Sequence, residues 1–313
     1  MSRGHLKGIE PGRIGVFSGS LAAQPAAVQR EVVAEIERLG FGTLWYGEAF
    51  AREVFVQGAI FLAATSQLVV ASGIANIWAR DPAAMVAGGR SLAEAWGNRF
   101  LLGIGVSHAP MVERRGHNYQ RPVTNMREYL DAMDKVTGGP KGVETPPVVL
   151  AALGPKMTEL AGARTAGVYP YFTTDQHVRE QREAMGPEPF IAADLVVALA
   201  DDRLAARAVG DRHMRVYLGA ANYVNNLLRL GWPAGDLEPP GSDPLFDAIV
   251  AWGDLEAISE RVAGRFEAGA DQVVLNLLAP DPTVPYLEEL RRLAPLNASG
   301  RPARDPTDKK ELQ

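Results

Sequence analysis

The 313-residue chain contains no cysteine. That absence removes disulfides, thiolate metal sites and a cysteine nucleophile from consideration. Lysine and arginine (32) are fewer than aspartate and glutamate (37), leaving a formal charge of −5. A basic face of the kind that grips nucleic acid or an anionic membrane is not expected. No apolar run is long enough to span a bilayer, and the opening "MSRGHLKGIEPGR" has no apolar core of the signal-peptide type. The expectation is a cytoplasmic protein with neither a nucleic-acid nor a membrane partner.

What is present is an alternation of two periodicities. Short apolar, β-branched runs read as strands at 13–18, 43–47, 68–73, 99–106, 147–153, 167–172, 190–199 and 271–278, the sixth weakened by Pro170. Between them lie helical patterns, such as Val28, Val32, Ile36 and Leu39, or Met126, Tyr129, Leu130 and Met133. Near-continuous apolar strands separated by helices imply a parallel sheet covered on both faces. About eight such units point to an α/β protein built as a closed (β/α)8 barrel, for which about 250 residues is typical. The expected organisation is one domain over 13–296 with excursions at 107–124 and 200–253, and loose ends at 1–12 and 297–313.

In such a barrel, chemistry gathers where the strands end. The residues there are Glu48, the segment Gly73-Ile74-Ala75-Asn76, the segment Val106-Ser107-His108, and the turn "ALGPKM" from Ala152 to Met157. In that turn Gly154 lets backbone approach a ligand and Pro155 suits the first helical position, so the helix aims free N–H groups at an anion, with Lys156 adding charge. A plain strand-to-helix turn is the competing reading. Glu48 reads as a general acid or base, or equally as a loop carboxylate paired with Arg52. Asn76 offers an amide to a heterocycle edge, or bonds its own turn. His108 and His117 lack acidic neighbours at ligand spacing, so no metal site is expected. "GIGVSHAP" has neither the G-x-G-x-x-G nor the G-x-S-x-G spacing, which sets aside a Rossmann site and an activated Ser107.

The strings "GFGTLWYGEAF", "VVASGIANIWARDPAAMVAGGRSLAEAWGNRFLLGIGVSHAP", "RPVTNMREYLDAMD", "LAALGPKMTELA" and "GADQVVLNLL" together resemble the luciferase-like monooxygenase superfamily. Within it they resemble most the coenzyme F420-dependent oxidoreductases of actinobacteria. The resemblance implies a barrel of the bacterial-luciferase type with an inserted helical and loop region. It also implies a deazaflavin across the strand ends, backed by a non-prolyl cis peptide at Gly73–Ile74. By the same resemblance Glu48, Gly73, Ile74, Asn76, Gly105, Val106, Ser107, Ala152, Gly154 and Met157 would contact the cofactor.

The implied activity is hydride transfer between the deazaflavin C5 and a small organic substrate with an electron-poor C=C, C=N or C=O, walled by Glu48, Trp78, His108 and the 107–124 excursion. A homodimer is common among similar proteins. Two departures stand out. Ala49 follows Glu48 where many relatives place a histidine, which leaves proton handling to Glu48, His108 or the substrate itself. Ser107 stands where a second glycine is common. Two other readings remain: an FMN-dependent monooxygenase on the same fold, since no residue type separates the two cofactors, and a cofactor-binding protein without turnover.

Overall fold

The computed structural model describes residues 6–139, 141–279, 281 and 286–300. Among the described residues ten strands form: β1 (Ile14–Phe17), β2 (Thr43–Tyr46), β3 (Val69–Ser72), β4 (Ala75–Asn76), β5 (Phe100–Gly105), β6 (Val148–Leu150), β7 (Gly167–Val168), β8 (Phe190–Leu199), β9 (Val250–Gly253) and β10 (Gln272–Leu277). All pairings are parallel, running from β10 through β1, β2, β3, β5, β6 and β7 to β8. The register Gln272↔Ala192 through Leu277↔Val197 joins β10 back to β8 and closes the ring. With β4 continuing β3 along β5, this is an eight-stranded (β/α)8 barrel, as the strand and helix periods predict.

Alternation along each strand builds two apolar layers. One side of the strands packs on the outer helices through residues such as Leu44, Val70, Leu102 and Leu195. The other side fills the barrel with Trp45, Ala71, Leu101, Val149, Tyr169 and Ala192. Trp45 stacks on Tyr169 at 4.4 Å and 8°, and its indole donates to Gln272 Oε1 at 2.8 Å, so the barrel is plugged beneath its C-terminal rim. Helix starts follow their caps: Asp81 accepts from Ala84 N ahead of Pro82, and Asp202 and Asp254 do the same for Arg203–Leu218 and Leu255–Glu267.

The strand read at 68–73 spans Val69–Ser72, and the cis peptide expected at Gly73–Ile74 is present; the chain then resumes as β4 against β5. Three expectations are corrected. The strand read at 167–172 stops at Val168, because Pro170 cannot donate to a ladder. Alongside β8, above that shortened strand, lies β9, which was read as part of a helical excursion; it pairs Val196–Leu199 on the edge opposite β10. Finally, 6–12 is not loose, since Leu6 and Ile9 are buried in the barrel-filling layer. Residues 1–5 and 301–313 lie outside the described residues.

The 200–253 excursion carries the helices Arg203–Leu218, Ala221–Arg229 and Asp243–Ile249, which share a separate apolar cluster with Phe172 and Val196. Those contacts hold the excursion over the end of β8, where it becomes one wall of the site. Among the described residues no helix is long and apolar enough to cross a membrane.

Candidate functional site

A cavity of about 910 Å³ opens at the C-terminal end of the barrel. Four groups of residues shape it. Gly73 and Ile74 come from the break between β3 and β4; Val106, Ser107 and His108 follow β5; Ala152 to Met157 follow β6; Tyr217, Asn222 and Tyr223 come from the excursion. Phe17, Tyr169 and Tyr171 complete it from the barrel side.

Ile74 is placed by its neighbours. A Cβ on Gly105 would sit 2.9 Å from Ile74 Cγ1, and one on Gly103 would sit 1.8 Å from the Ser72 carbonyl oxygen. Only glycine lets β5 pass this close, so the two glycines leave room for Ile74 to line the cavity. Gly105 therefore acts from behind and does not itself face the cavity, contrary to its expected cofactor contact. Ser107 adopts φ +59°, in the left-handed region that favours glycine, at the position where similar proteins commonly have one.

On the opposite side, Gly154 is the N-cap of the helix Pro155–Arg164, with no side-chain cap. Pro155 has no N–H, and Met157 N and Thr158 N each donate to Gly154 O at 3.1 Å, which leaves Lys156 N as the first-turn donor open to a ligand, and a Cβ on Gly154 would meet only open space. Lys156, Met157 and Ala152 line the same end. Arg229 is there too, but its guanidinium is engaged by Glu180 at 2.6 Å and by Asn226 Oδ1.

Three sequence-based assignments change. Glu48 borders the cavity, yet both its oxygens are occupied: Arg80 pairs with each, and Oε2 also accepts from Asn76 N at 2.9 Å. With the Glu48 side chain 4% and that of Arg80 9% exposed, this is a buried ion pair bracing the 46–80 loops, and not a free acid or base. Glu48 N also donates to Ile74 O at 3.2 Å, so the pair holds the segment that carries Ile74. Asn76 is 1% exposed and its Oδ1 accepts from Trp78 N at 2.9 Å, which is the own-turn alternative; it does not line the cavity. Trp78 likewise turns away, its indole donating to Val106 O at 3.0 Å. His108 does face the cavity. Burial pushes its pKa below the ordinary value, against a hydrogen bond with Asn222, so the imidazole is neutral at physiological pH.

Sequence reasoning missed the tyrosines. Tyr169, Tyr171, Tyr217 and Tyr223 all line the cavity. Tyr169 and Tyr171 follow β7 at a two-residue interval, which is the signal that places both on the barrel side. Tyr217 and Tyr223 lie on helices whose docking no local pattern reveals. Also missed was Asp194, a lone carboxylate in the apolar run "FIAADLVVAL". It is buried inside the barrel beneath these rings.

Comparison with known proteins agrees with this architecture. The family model described as luciferase-like monooxygenase matches residues 12–272. The chain belongs to that family. Among relatives of the family, a Mycobacterium tuberculosis protein provisionally named as a coenzyme F420-dependent oxidoreductase is 25% identical, covering 91% of this chain and 98% of the relative. The coenzyme F420-dependent tetrahydromethanopterin reductase of Methanopyrus kandleri superposes with a TM-score of 0.72 at 16% identity, covering 91% of this chain and 97% of that one. An FMN-bound constituent of the 3,6-diketocamphane monooxygenase of Pseudomonas putida superposes with a TM-score of 0.67 at 16% identity, covering 91% and 98%. At such identities the structural likenesses speak for the fold.

Proposed function

We propose that this luciferase-like family member is a coenzyme F420-dependent oxidoreductase that reduces or oxidises a small organic molecule in the cytoplasm. The observation that carries the reading is the cavity's polarity along its length. One end has an uncapped helix N-terminus with Gly154 and Lys156, suited to a phosphate; the middle has the apolar face of Ile74; the far end is neutral and aromatic. A flat redox ring with a phosphorylated side chain matches that sequence of environments. The M. tuberculosis relative, matched over nearly its whole length, favours F420 as the ring.

Gly73, Ile74, Val106 and Ser107 would contact the ring, while Ala152, Gly154, Met157 and Lys156 would hold the chain and phosphate. Coenzyme F420, when bound, supplies or accepts a hydride at C5 of its deazaflavin. The chain's own part is orientation and exclusion of water. Ile74 blocks one ring face, and His108, Tyr217 and Tyr223 wall the space on the other side of the cavity.

The FMN-bound neighbour supports a second reading, a flavin monooxygenase on the same scaffold. Fluorescence titration of the purified protein with F420 and with FMN separates them. The proposal predicts saturable F420 binding at least tenfold tighter than FMN, and oxidation of reduced F420 on adding a substrate. Tighter FMN binding overturns it, and F420 binding without turnover on any enone, imine, ketone or quinone supports a non-catalytic carrier.

A further inference from the structure

The neutral, aromatic end of the cavity contains a hydroxyl chain that the cofactor reading does not use. Asn276 Nδ2 donates to Tyr171 Oη at 2.8 Å. Tyr171 Oη lies 3.0 Å from Tyr217 Oη, from which it also accepts. Asn276 is on β10, Tyr171 follows β7, and Tyr217 is on the helix Arg203–Leu218, so three separate parts of the chain converge. An amide N–H can only donate, so Tyr171 must spend an acceptor position on Asn276. Its own proton is then free to point to Tyr217, which releases the Tyr217 proton toward any acceptor in the cavity. Hydroxyl rotors reverse in this way at little cost.

Burial raises both phenols, that of Tyr217 to about 12, so they remain donors at any physiological pH. Among the described residues the charged side chains that line the cavity are Glu48, Arg52, Lys156 and Arg229, none of them part of this hydroxyl chain. Glu48 is neutralised by Arg80, and Arg52 donates to Ala22 O and Gln24 O. Hydrophobic contact comes from Phe17 and the Tyr223 ring, which packs edge-on to Tyr217 at 5.2 Å.

We propose that Tyr217, backed by Tyr171 and Asn276, is the hydrogen-bond donor to the substrate's oxygen, and that the substrate is a neutral carbonyl compound: a ketone, enone or quinone, not an isolated alkene or a carboxylate. The proposal rests on the oxidoreductase reading and narrows its substrate class. An oxygen that gains negative charge as hydride reaches the carbonyl system is stabilised by a donor already in place. An isolated alkene, with no heteroatom to accept, gains nothing from a hydroxyl relay. A carboxylate would have to leave its charge among phenol rings above the buried Asp194 carboxyl.

Asp194 sets the pH range over which this donor works. Neither of its carboxyl oxygens meets a donor at bonding geometry, and the polar groups near it are the Phe172 N–H and the Asn276 amide. The charged and titratable groups facing it are Arg265 and the phenols of Tyr169, Tyr171, Tyr217 and Tyr223. Arg265 is committed to Asp175 at 2.6 Å and to Thr173 O at 2.5 Å, which leaves Asp194 only its long-range field. Burial pushes the Asp194 carboxyl up to about 7. Ionised, it places a negative charge under the tyrosines and opposes charge on the substrate oxygen.

The test uses the F420-loaded protein, with F420 affinity checked by fluorescence in every variant. The probe is 2-cyclohexen-1-one labelled with 13C at the carbonyl, with cyclohexene as the control lacking oxygen. The proposal predicts a downfield shift of the bound carbonyl resonance, loss of that shift in Tyr217→Phe, and a rise in the probe's Kd of about tenfold, the worth of one net hydrogen bond. It further predicts that the rate of carbonyl reduction falls above about pH 7 and that Asp194→Asn, which keeps the shape, abolishes this fall. Equal binding of cyclohexene and cyclohexenone, an unchanged carbonyl shift in Tyr217→Phe, or an alkaline fall retained in Asp194→Asn overturns the inference. Failure of F420 to bind the unaltered protein overturns the parent reading instead, and probe binding measured without F420 still reports on Tyr217.

Discussion

Two buried carboxyls in this molecule show how environment assigns a side chain its task. Glu48 is surrounded by donors: the Arg80 guanidinium and the Asn76 N–H saturate it. Removing its charge strands Arg80, which is 9% exposed in its side chain, so Glu48→Gln should cost on the order of 3 kcal/mol in chemical denaturation. The same variant should weaken cofactor binding through the displaced Ile74 segment, without introducing a pH dependence. Asp194 is the opposite case, because its carboxyl lacks such donors. Its folded-state pKa of about 7 stands above the ordinary 3.8, so the folded protein holds a proton that the unfolded chain releases between those values. Stability contributed by the neutral carboxyl is full below about pH 4 and declines as pH rises through 7. Asp194→Asn should therefore raise the Tm at pH 8 and change it much less at pH 5. The upper bound is about 1.4 kcal/mol for each unit between the two pKa values. An equal effect at both pH values would contradict the assignment.

At the scale of elements, legibility followed periodicity. The alternating strands and helices announced the barrel because burial on both sides of a parallel strand demands continuous apolar runs. The turn at Gly154-Pro155 was legible for a similar reason, since a glycine followed by proline marks a helix start. The break at Gly73–Ile74 came from resemblance to known proteins, because nothing in "ASGIAN" by itself separates a bulge from a turn. Asn76 and Trp78 could not be oriented in advance: which face a residue presents depends on register, and the interruption of β3 resets it. Long-range tethers were equally invisible. Glu37, at the end of the helix Ala26–Arg38, accepts from Ser66 N at 2.9 Å, Gln67 N at 2.5 Å and Leu68 N at 2.8 Å, fixing how the chain enters β3. Those bonds hold its carboxyl below the ordinary range against the cost of burial. Glu37→Ala should cost about 1 kcal/mol, measured by urea denaturation, because the part-buried Leu68 donor loses its partner while those of Ser66 and Gln67 return to water.

Across the whole molecule, the division of labour follows the direction of the chain. The N-terminal half of the barrel supplies the surface behind the proposed ring, from Gly73 and Ile74 to Ser107. The β6 turn supplies the phosphate end, and the 200–253 excursion closes the substrate end with Tyr217 and Tyr223. Loops and insertions on a shared scaffold generally carry the specificity, and no local periodicity fixes how this excursion docks. That is why the fold could be read from the sequence alone and the substrate side could not. The account stands on one arrangement: a deazaflavin lying on Ile74 with its phosphate at the start of the helix Pro155–Arg164. A crystal structure of the protein soaked with F420 tests it most directly. The account predicts the ring against residues 73–74, the phosphate within hydrogen-bond reach of Lys156 at the start of that helix, and free space bounded by Tyr217 and His108. Density for F420 elsewhere on the protein, or a ring seated among the tyrosines with its phosphate away from Gly154, would contradict it.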